Sequence, residues 1–194
     1  MTDTERKIKD TTIELLLKKG KFGVSMQEIA QKSGVSRTVI HYYFRSKEKL
    51  LDIVNQEIVE NIIIPRYQLL IGSEPLEIKV ENFLAESEKN CQIFPYIDVY
   101  SLSEITTIES IRKYFITWQD SINRLLEEIK LAIDQKKIIH SDPLQFLVDL
   151  FSLSSYSHIY WNFLLVNSKI MGQTMKENCS AHRSETIRKM LFHS

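Results

Sequence analysis

Arg37, Thr38, His41, Tyr42 and Lys47 carry side chains of the kinds that contact nucleic acids. An arginine fork can donate two hydrogen bonds to guanine O6 and N7, and a threonine can meet base edges. Histidine and tyrosine can bond to phosphate or base atoms, and a lysine brings a positive charge to phosphate. The first four of these residues recur at helical spacing, largely on the outward side of one helix. Their types and spacing favour contacts to duplex DNA.

A helix-turn-helix is predicted to position these side chains. Ser25 and Glu28 fit a capping box, so a first helix should begin at about Met26. Gly34 can adopt the left-handed conformation that ends a helix, and Ser36 is a good N-cap for the next one. The turn between the two helices is therefore only about three residues long.

The second helix is predicted to pack against the core through one side and to be followed closely by a third helix. Val35, Ile40 and Phe44 fall on or near one side of it. Ser46 caps a third segment that starts at Lys47, where an ammonium and free backbone N–H groups would together bind a phosphate. We predict the following DNA contacts: Ser25, Gln27, Ser36, Arg37, Thr38, Val39, His41, Tyr42, Tyr43 and Lys47.

The chain resembles the TetR family of bacterial one-component transcriptional regulators over about residues 5 to 51. The resemblance is carried by these residues: Ile13, Leu16, Phe22, Ser25, Ile29, Ala30, Gly34, Val35, Ser36, Ile40, Tyr42, Tyr43, Phe44, Ser46, Lys47 and Leu50. Two positions depart from the family pattern. Met26 lies where a small polar residue is usual, and His41 lies where a tyrosine is usual.

The resemblance and the helical periodicity together predict an all-α fold. A three-helix DNA-binding domain is expected over residues 1–47, and a larger helical domain for dimerisation and effector binding over residues 48–194. Further helices are expected at about 47–71, with Pro65 bending or ending the first, and at 74–90, 96–104, 108–135, from Pro143 onward and at 180–192.

Charge is distributed unevenly, although the chain as a whole is neutral. Residues 1–51 hold 11 Lys or Arg against 6 Asp or Glu, and the remainder holds 14 against 19. A basic N-terminal part favours the DNA polyanion and predicts an affinity that depends strongly on salt. The acidic remainder would face away from the DNA.

The N-terminus, the two cysteines and the absence of catalytic motifs limit where the protein is expected to act and what it is expected to do. The N-terminus lacks an apolar signal region, which predicts a cytoplasmic location. Cys91 and Cys179 are far apart and outside any metal-binding spacing, so free thiols are expected, with no metal and no cofactor. Catalytic motifs such as HExxH, GxSxG and the P-loop are absent, which argues against an all-α enzyme.

Residues 150–168 contain no charged side chain, yet eight of these 19 residues are Ser, Asn or His. Such a helix is too polar to face lipid and is better suited to being covered on two sides in a folded protein. We expect a homodimer through helices near 143–166 and 180–192, as the resemblance implies. A two-fold dimer would contact an inverted-repeat operator with half-sites roughly 34 Å apart.

An apolar or amphipathic small molecule is the expected effector, because aromatic residues are frequent in the helices of the larger domain. The candidate ligand-binding residues are Tyr100, Glu104, Trp118, Gln119, Tyr156 and His158. The sequence thus favours a repressor released from its operator by a ligand. The alternative is an architectural DNA-binding protein without an effector, which would need no cavity.

Overall fold

The computed structural model describes residues 2–105, 109–167, 189, 191 and 192, and this part of the chain is helical with no strand of more than an isolated bridge. The predicted all-α fold is confirmed. The helices are α1 Asp3–Ile13, α2 Met26–Ser33, α3 Arg37–Phe44, α4 Lys47–Ile58, α5 Ile64–Gln68, α6 Leu76–Ile93, α7 Ile97–Tyr100, α8 Glu109–Thr117, α9 Gln119–Asp134 and α10 Pro143–Asn167. Across the described residues, every helix is too short or too polar to cross a bilayer.

The N-terminal helices pack around a shared apolar core. Ile8 of α1, Ile29 of α2, Ile40 of α3 and Leu50 of α4 are all fully buried. Each lies on the inward side of its own amphipathic helix, so their burial holds the four helices together. This core also takes in residues from α7, so α7 packs directly against the N-terminal helices.

The connecting segment predicted over about 47–71 is helical as far as Gln68, with one irregular turn. A π-helical turn, Val59–Ile63, lies between α4 and α5, and the N–H of Ile64 bonds to the carbonyl of Val59. Pro65 has no N–H and would clash with a carbonyl one turn earlier in a regular α-helix. We attribute the wide turn to this proline, which is accommodated inside the helix without ending it.

Two predicted helices differ from those observed. The helix expected at 74–90 begins after Pro75 and continues to Ile93. The single helix expected over 108–135 is divided at Trp118, whose φ of −94° and ψ of 7° depart from helical values. The N–H of Trp118 still bonds to Tyr114, so the interruption is one residue long.

The start of α10 is as predicted, because the N–H of Gln145 donates to the Asp142 carboxylate at 2.9 Å and Pro143 is the first helical residue. The helix expected at 180–192 lies outside the described residues, apart from 189, 191 and 192. A second core, formed with α6, α9 and α10, includes Val80, Ile129 and Phe146, all fully buried.

Candidate DNA-binding surface and effector cavity

The first helix of the predicted helix-turn-helix begins with the expected capping box. The Ser25 hydroxyl accepts the N–H of Glu28 at 3.2 Å, and the Glu28 carboxylate accepts the N–H of Ser25 at 2.9 Å. Those bonds from Ser25, together with the ammonium of Lys21, lower the pKa of Glu28 to about 2. The carboxylate is therefore charged at neutral pH and fixes where α2 begins.

The turn between α2 and α3 follows the glycine as predicted. Gly34 has φ 67° and ψ 28°, a left-handed conformation in which a side chain would be strained. The hydroxyl of Ser36 then accepts the N–H of Val39 at 3.2 Å and starts α3. Because that oxygen caps the helix, Ser36 serves first to orient α3.

The third helix has one buried face and one exposed face. Ile40 and Phe44 are buried in the core. Arg37, Thr38 and His41 are exposed. With about 100° between successive helical residues, positions 37, 38, 41 and 42 span a continuous arc of about 140°. Polar and aromatic groups that can meet base edges and phosphates are thus collected on one side of α3.

The two tyrosines at the end of α3 differ in exposure. Tyr42 is 68% exposed, and its ring contacts that of Tyr43 edge-on at 5.2 Å. Tyr43 is half-buried and packs against the N-terminal core, as does Val39. Tyr42 is therefore free to reach DNA, whereas Tyr43 and Val39 are shared between the exposed face and the core.

A cationic corner follows α3. Arg45 is exposed and has φ 65° and ψ −47°, and the N–H of Ser46 bonds to the carbonyl of Phe44 at 2.7 Å. This geometry is that of a strained γ-turn. Arg45 was not among the predicted contacts, although its charge and its place before Lys47 were visible in the sequence. Its conformation has no sequence signal, because non-glycine residues rarely adopt it.

The start of α4 lies beside this corner. Ser46 caps the helix by accepting the N–H of Lys49 at 3.2 Å, and half-buried Lys47 is the first helical residue. The pKa of Glu48 is lowered because its carboxylate accepts its own backbone N–H and the Ser46 side chain. The start of α4 thus favours a negative charge, and here the Glu48 carboxylate itself supplies it.

The remaining predicted contacts lie at the start of α2. Ser25 and Gln27 are exposed there. All ten predicted residues therefore belong to the start of α2, to α3 with its N-cap, or to the start of α4. None of the ten is fully buried.

A cavity of about 500 Å³ lies beside α5, α8 and the π-helical segment Ser101–Ile105 that follows α7. Its apolar lining consists of Ile63, Ile64, Tyr67, Leu102, Phe115 and Trp118. Arg66, Ser101 and Arg112 supply the polar groups. An apolar wall with a few polar groups is typical of small-molecule sites, and this volume lies within their usual range.

The predicted ligand-binding residues are dispersed. Among those whose side chains the structure describes, Trp118 alone lines this cavity. Tyr100 is 2% exposed and belongs to the N-terminal core, and exposed Glu104 is close enough to contribute to the raised pKa of Tyr100. Gln119 is exposed and bonds to Asn123, and Tyr156 is 64% exposed on α10. The side chain of His158 lies outside the described residues.

None of the three polar lining residues was predicted from the sequence, and Arg66 is the buried one of the two arginines. It is 4% exposed, and its Nη1 donates to the Asp98 carboxylate at 2.9 Å. Its guanidinium also lies 5.3 Å from the ring centre of Tyr67. Burial works to lower the pKa of Arg66, but the neighbouring Asp98 outweighs burial and raises it. The guanidinium therefore stays charged beside the cavity.

The α7 segment joins the cavity side to the N-terminal helices. The N–H of Tyr96 donates to the carbonyl of Leu17 at 3.0 Å, and the hydroxyl of Tyr100 donates to Asn55 of α4 at 2.7 Å. Phe22 contacts the Tyr100 ring edge-on at 5.3 Å. The α7 segment is therefore in direct contact with the N-terminal segment and with α4, which carries the predicted phosphate contact Lys47.

The helix-turn-helix, its exposed polar arc on α3 and the cationic corner after α3 form the kind of surface that helix-turn-helix proteins place against DNA. Residues 8–54 match the family model described as bacterial regulatory proteins, tetR family. No curated protein matches the chain significantly.

Solved structures share the fold over nearly the whole chain. A TetR/AcrR-family transcriptional regulator from Thermobifida fusca is 18% identical with a TM-score of 0.62, and the match covers 96% of this chain and 97% of that one. PfmR, a TetR-family regulator from Thermus thermophilus, is 17% identical with a TM-score of 0.61, covering 100% of both. A candidate fatty acid metabolism regulator from Clostridium perfringens is 19% identical with a TM-score of 0.61, covering 97% and 100%.

These likenesses establish the fold, and the matched N-terminal segment establishes the family resemblance expected from the sequence. Residues 8–54 are thus similar to bacterial regulatory proteins of the tetR family, and the chain as a whole shares the fold of these solved structures.

Proposed function

We propose that this chain is a homodimeric repressor that leaves a palindromic operator when an apolar or amphipathic small molecule occupies the larger domain. The observation that carries the proposal is the exposed arc of Arg37, Thr38, His41 and Tyr42 on α3, next to Lys47 at the start of α4. These groups suit base-edge and phosphate contacts in one major groove. In this proposal the protein acts in the cytoplasm and catalyses no reaction.

We place the boundary between the two domains after Lys47, at the start of α4. Residues 1–47 would bind DNA, and residues 48–194 would bind the effector and form the dimer. The cavity of about 500 Å³ supports an effector function and argues against the architectural alternative, which needs no such space. The neighbour from Clostridium perfringens, a candidate fatty acid metabolism regulator, is consistent with an amphipathic effector.

The proposed dimer rests on α10 together with the segment 180–192. Leu144 and Val148 are 60% and 54% exposed, and Tyr156 continues the same row of residues at 64%. Positions four apart lie on one side of a helix, so these residues form an exposed and mostly apolar row in which Ser152 lies between Val148 and Tyr156. Covering that row with a second copy would remove apolar surface from water and set the spacing of the two α3 helices.

Release of the operator requires the ligand to prefer a conformation in which the two α3 helices are misplaced. A hundredfold loss of occupancy corresponds to a preference of about 2.7 kcal/mol. The bond between Tyr100 and Asn55 and that between Tyr96 and Leu17 are the proposed route. They link the segment beside the cavity to α4 and to Leu17, which lies in the π-helical segment Glu14–Lys18 directly after α1.

A fluorescence-anisotropy titration on the DNA upstream of the chain's own gene tests the DNA-binding part. We expect tight binding that weakens steeply between about 50 and 200 mM salt. Arg37→Ala should weaken binding by about tenfold to a hundredfold, since one arginine–base pair contributes about 1–3 kcal/mol. The matched control is Arg124→Ala, because Arg124 is exposed on α9. Weak, salt-insensitive binding, or equal losses in both variants, would reject the proposal.

A further inference from the structure

The cavity contains two cationic groups and no described acidic group in its lining. Arg66 and Arg112 are both lining residues. The rest of the described lining is apolar except for Ser101. An occupant would therefore meet hydrocarbon and aromatic surface around positively charged donors. The lining therefore favours an amphipathic anion as ligand. A cation would be repelled, and a neutral apolar molecule would leave the arginine donors without acceptors.

Arg66 has unused hydrogen-bonding capacity although it is only 4% exposed. Among the described residues, its hydrogen bond runs from Nη1 to Asp98, and its buried Nε has no partner. A guanidinium carries five N–H donors, and a buried donor without an acceptor costs about 1–3 kcal/mol. Nε is itself shielded, so a ligand oxygen in the cavity would accept from another N–H of the Arg66 guanidinium.

Arg112 supplies an uncompensated charge at the same cavity. It is exposed on α8, and it forms no ion pair with a described residue. Arg66, in contrast, is already neutralised by Asp98. An anionic headgroup would therefore balance the charge of Arg112 while gaining charge-assisted hydrogen bonds.

We propose that the effector is an amphipathic carboxylate, with its headgroup held by Arg112 and Arg66 and its hydrocarbon part lying along Phe115 and Trp118. This assignment rests on the proposed function and narrows its ligand to one chemical class. Planar guanidinium groups match the geometry of a carboxylate, and aromatic side chains suit an acyl chain.

The same contact would carry the signal to α7. Asp98 belongs to α7 and accepts hydrogen bonds from Arg66 at 2.9 Å and from the Cys91 thiol at 3.3 Å. A ligand carboxylate near Arg66 draws the guanidinium toward the cavity, away from Asp98. Any shift of that guanidinium weakens the hold on α7, whose neighbouring Tyr96 and Tyr100 bond to the N-terminal helices.

Calorimetric titration with dodecanoate and dodecan-1-ol tests the assignment, because the two probes share a chain length and differ in charge. We expect the wild-type protein to bind dodecanoate at least about tenfold more tightly than the alcohol, as one charge-assisted contact provides. Arg112→Gln should remove most of that preference, and since Arg112 is exposed the variant should fold. Arg124→Gln, on the exposed side of α9, should keep it.

A second variant keeps the test decisive. Arg66→Lys retains a charge for Asp98 but loses the planar fork, so it should reduce dodecanoate affinity while leaving the alcohol unaffected. Equal affinity for the two probes, binding of neither, or a preference that survives both variants would overturn the assignment. DNA binding of the unliganded protein is measured alongside, so failure of the ligand class is distinguished from failure of the regulator proposal.

Discussion

The hydroxyl of Tyr100 in α7 donates a hydrogen bond of 2.7 Å to the side-chain oxygen of Asn55 in α4. Tyr100 is 2% exposed and Asn55 is half-buried, so this bond is partly shielded from solvent. The helix that receives it begins at Lys47, one of the predicted phosphate contacts. The bond therefore connects the segment near the cavity with the helix nearest the proposed DNA surface.

Tyr100→Phe should destabilise the protein by about 0.5–1.5 kcal/mol near neutral pH, because Asn55 loses its donor. Urea unfolding followed by circular dichroism measures this change. The matched control is Tyr42→Phe, since Tyr42 is 68% exposed and should lose little. Equal unfolding free energies for wild type and Tyr100→Phe would show that the bond is not stabilising.

Stability at high pH gives a second readout of the same residue. Burial, with a smaller contribution from Glu104, raises the pKa of Tyr100 to about 12. Its pKa in the unfolded chain is about 10. The folded state therefore holds the Tyr100 proton more tightly than the unfolded chain does. The contribution of this tyrosine to the free energy of unfolding is fully present below about pH 10, and it is lost as the pH rises from about 10 to about 12. The advantage of wild type over Tyr100→Phe should shrink across that window.

Local signals predicted the N-terminal helices closely. Capping by Ser25, Ser36 and Ser46 and the left-handed Gly34 depend on neighbours in the chain, and all four are observed. The position of Tyr100 was not predictable in the same way. Its burial between α7 and α4 depends on residues 45 positions apart, and an aromatic residue at helical spacing looks alike in a core and in a cavity.

Gly20 should be far less tolerant of substitution than its neighbour Gly23. Gly20 has φ 64°, and a Cβ there would lie 2.8 Å from the ring of Tyr96. Gly20→Ala should cost about 1–2 kcal/mol from the left-handed backbone alone, with the ring clash in addition. A Cβ at Gly23 meets nothing within 4 Å, so Gly23→Ala should change stability by no more than about 1 kcal/mol.

Chemical unfolding of the two alanine variants decides this point. A loss in Gly20→Ala that is no larger than in Gly23→Ala would mean that the contact with Tyr96 does not constrain this turn. Operator binding gives a further readout, since Gly20 and Tyr96 lie where the N-terminal helices contact the α7 segment.

Lys47→Ala should weaken binding to every DNA sequence by a similar factor, because a phosphate contact is independent of base sequence. It should also reduce the slope of log affinity against log salt by about one. Anisotropy titrations at several salt concentrations, on operator and on unrelated DNA, measure both effects. Lys130→Ala is the control, since Lys130 is exposed on α9 at 68%. An unchanged slope would remove Lys47 from the set of phosphate contacts.

The cavity lining shows why ligand residues were harder to predict. Arg66 follows Pro65 in α5. It is buried, and the sequence does not predict this because arginine is rarely buried. Its burial is possible because Asp98, 32 positions later, neutralises it. Trp118 lines the cavity at the break between α8 and α9, where the sequence suggested one unbroken helix.

Val148→Glu should convert the proposed dimer into monomers. Val148 is 54% exposed, so the glutamate would remain in water in a monomer and should barely change its stability. In a two-fold dimer across α10 it would instead place two like charges in an apolar contact, which is unfavourable. Light scattering coupled to size-exclusion chromatography measures the mass, and loss of the dimer should also reduce operator affinity. Leu131→Glu is the matched control, because Leu131 is 57% exposed on α9 and should leave the mass unchanged. A Val148→Glu protein that stays dimeric would place the interface on another surface.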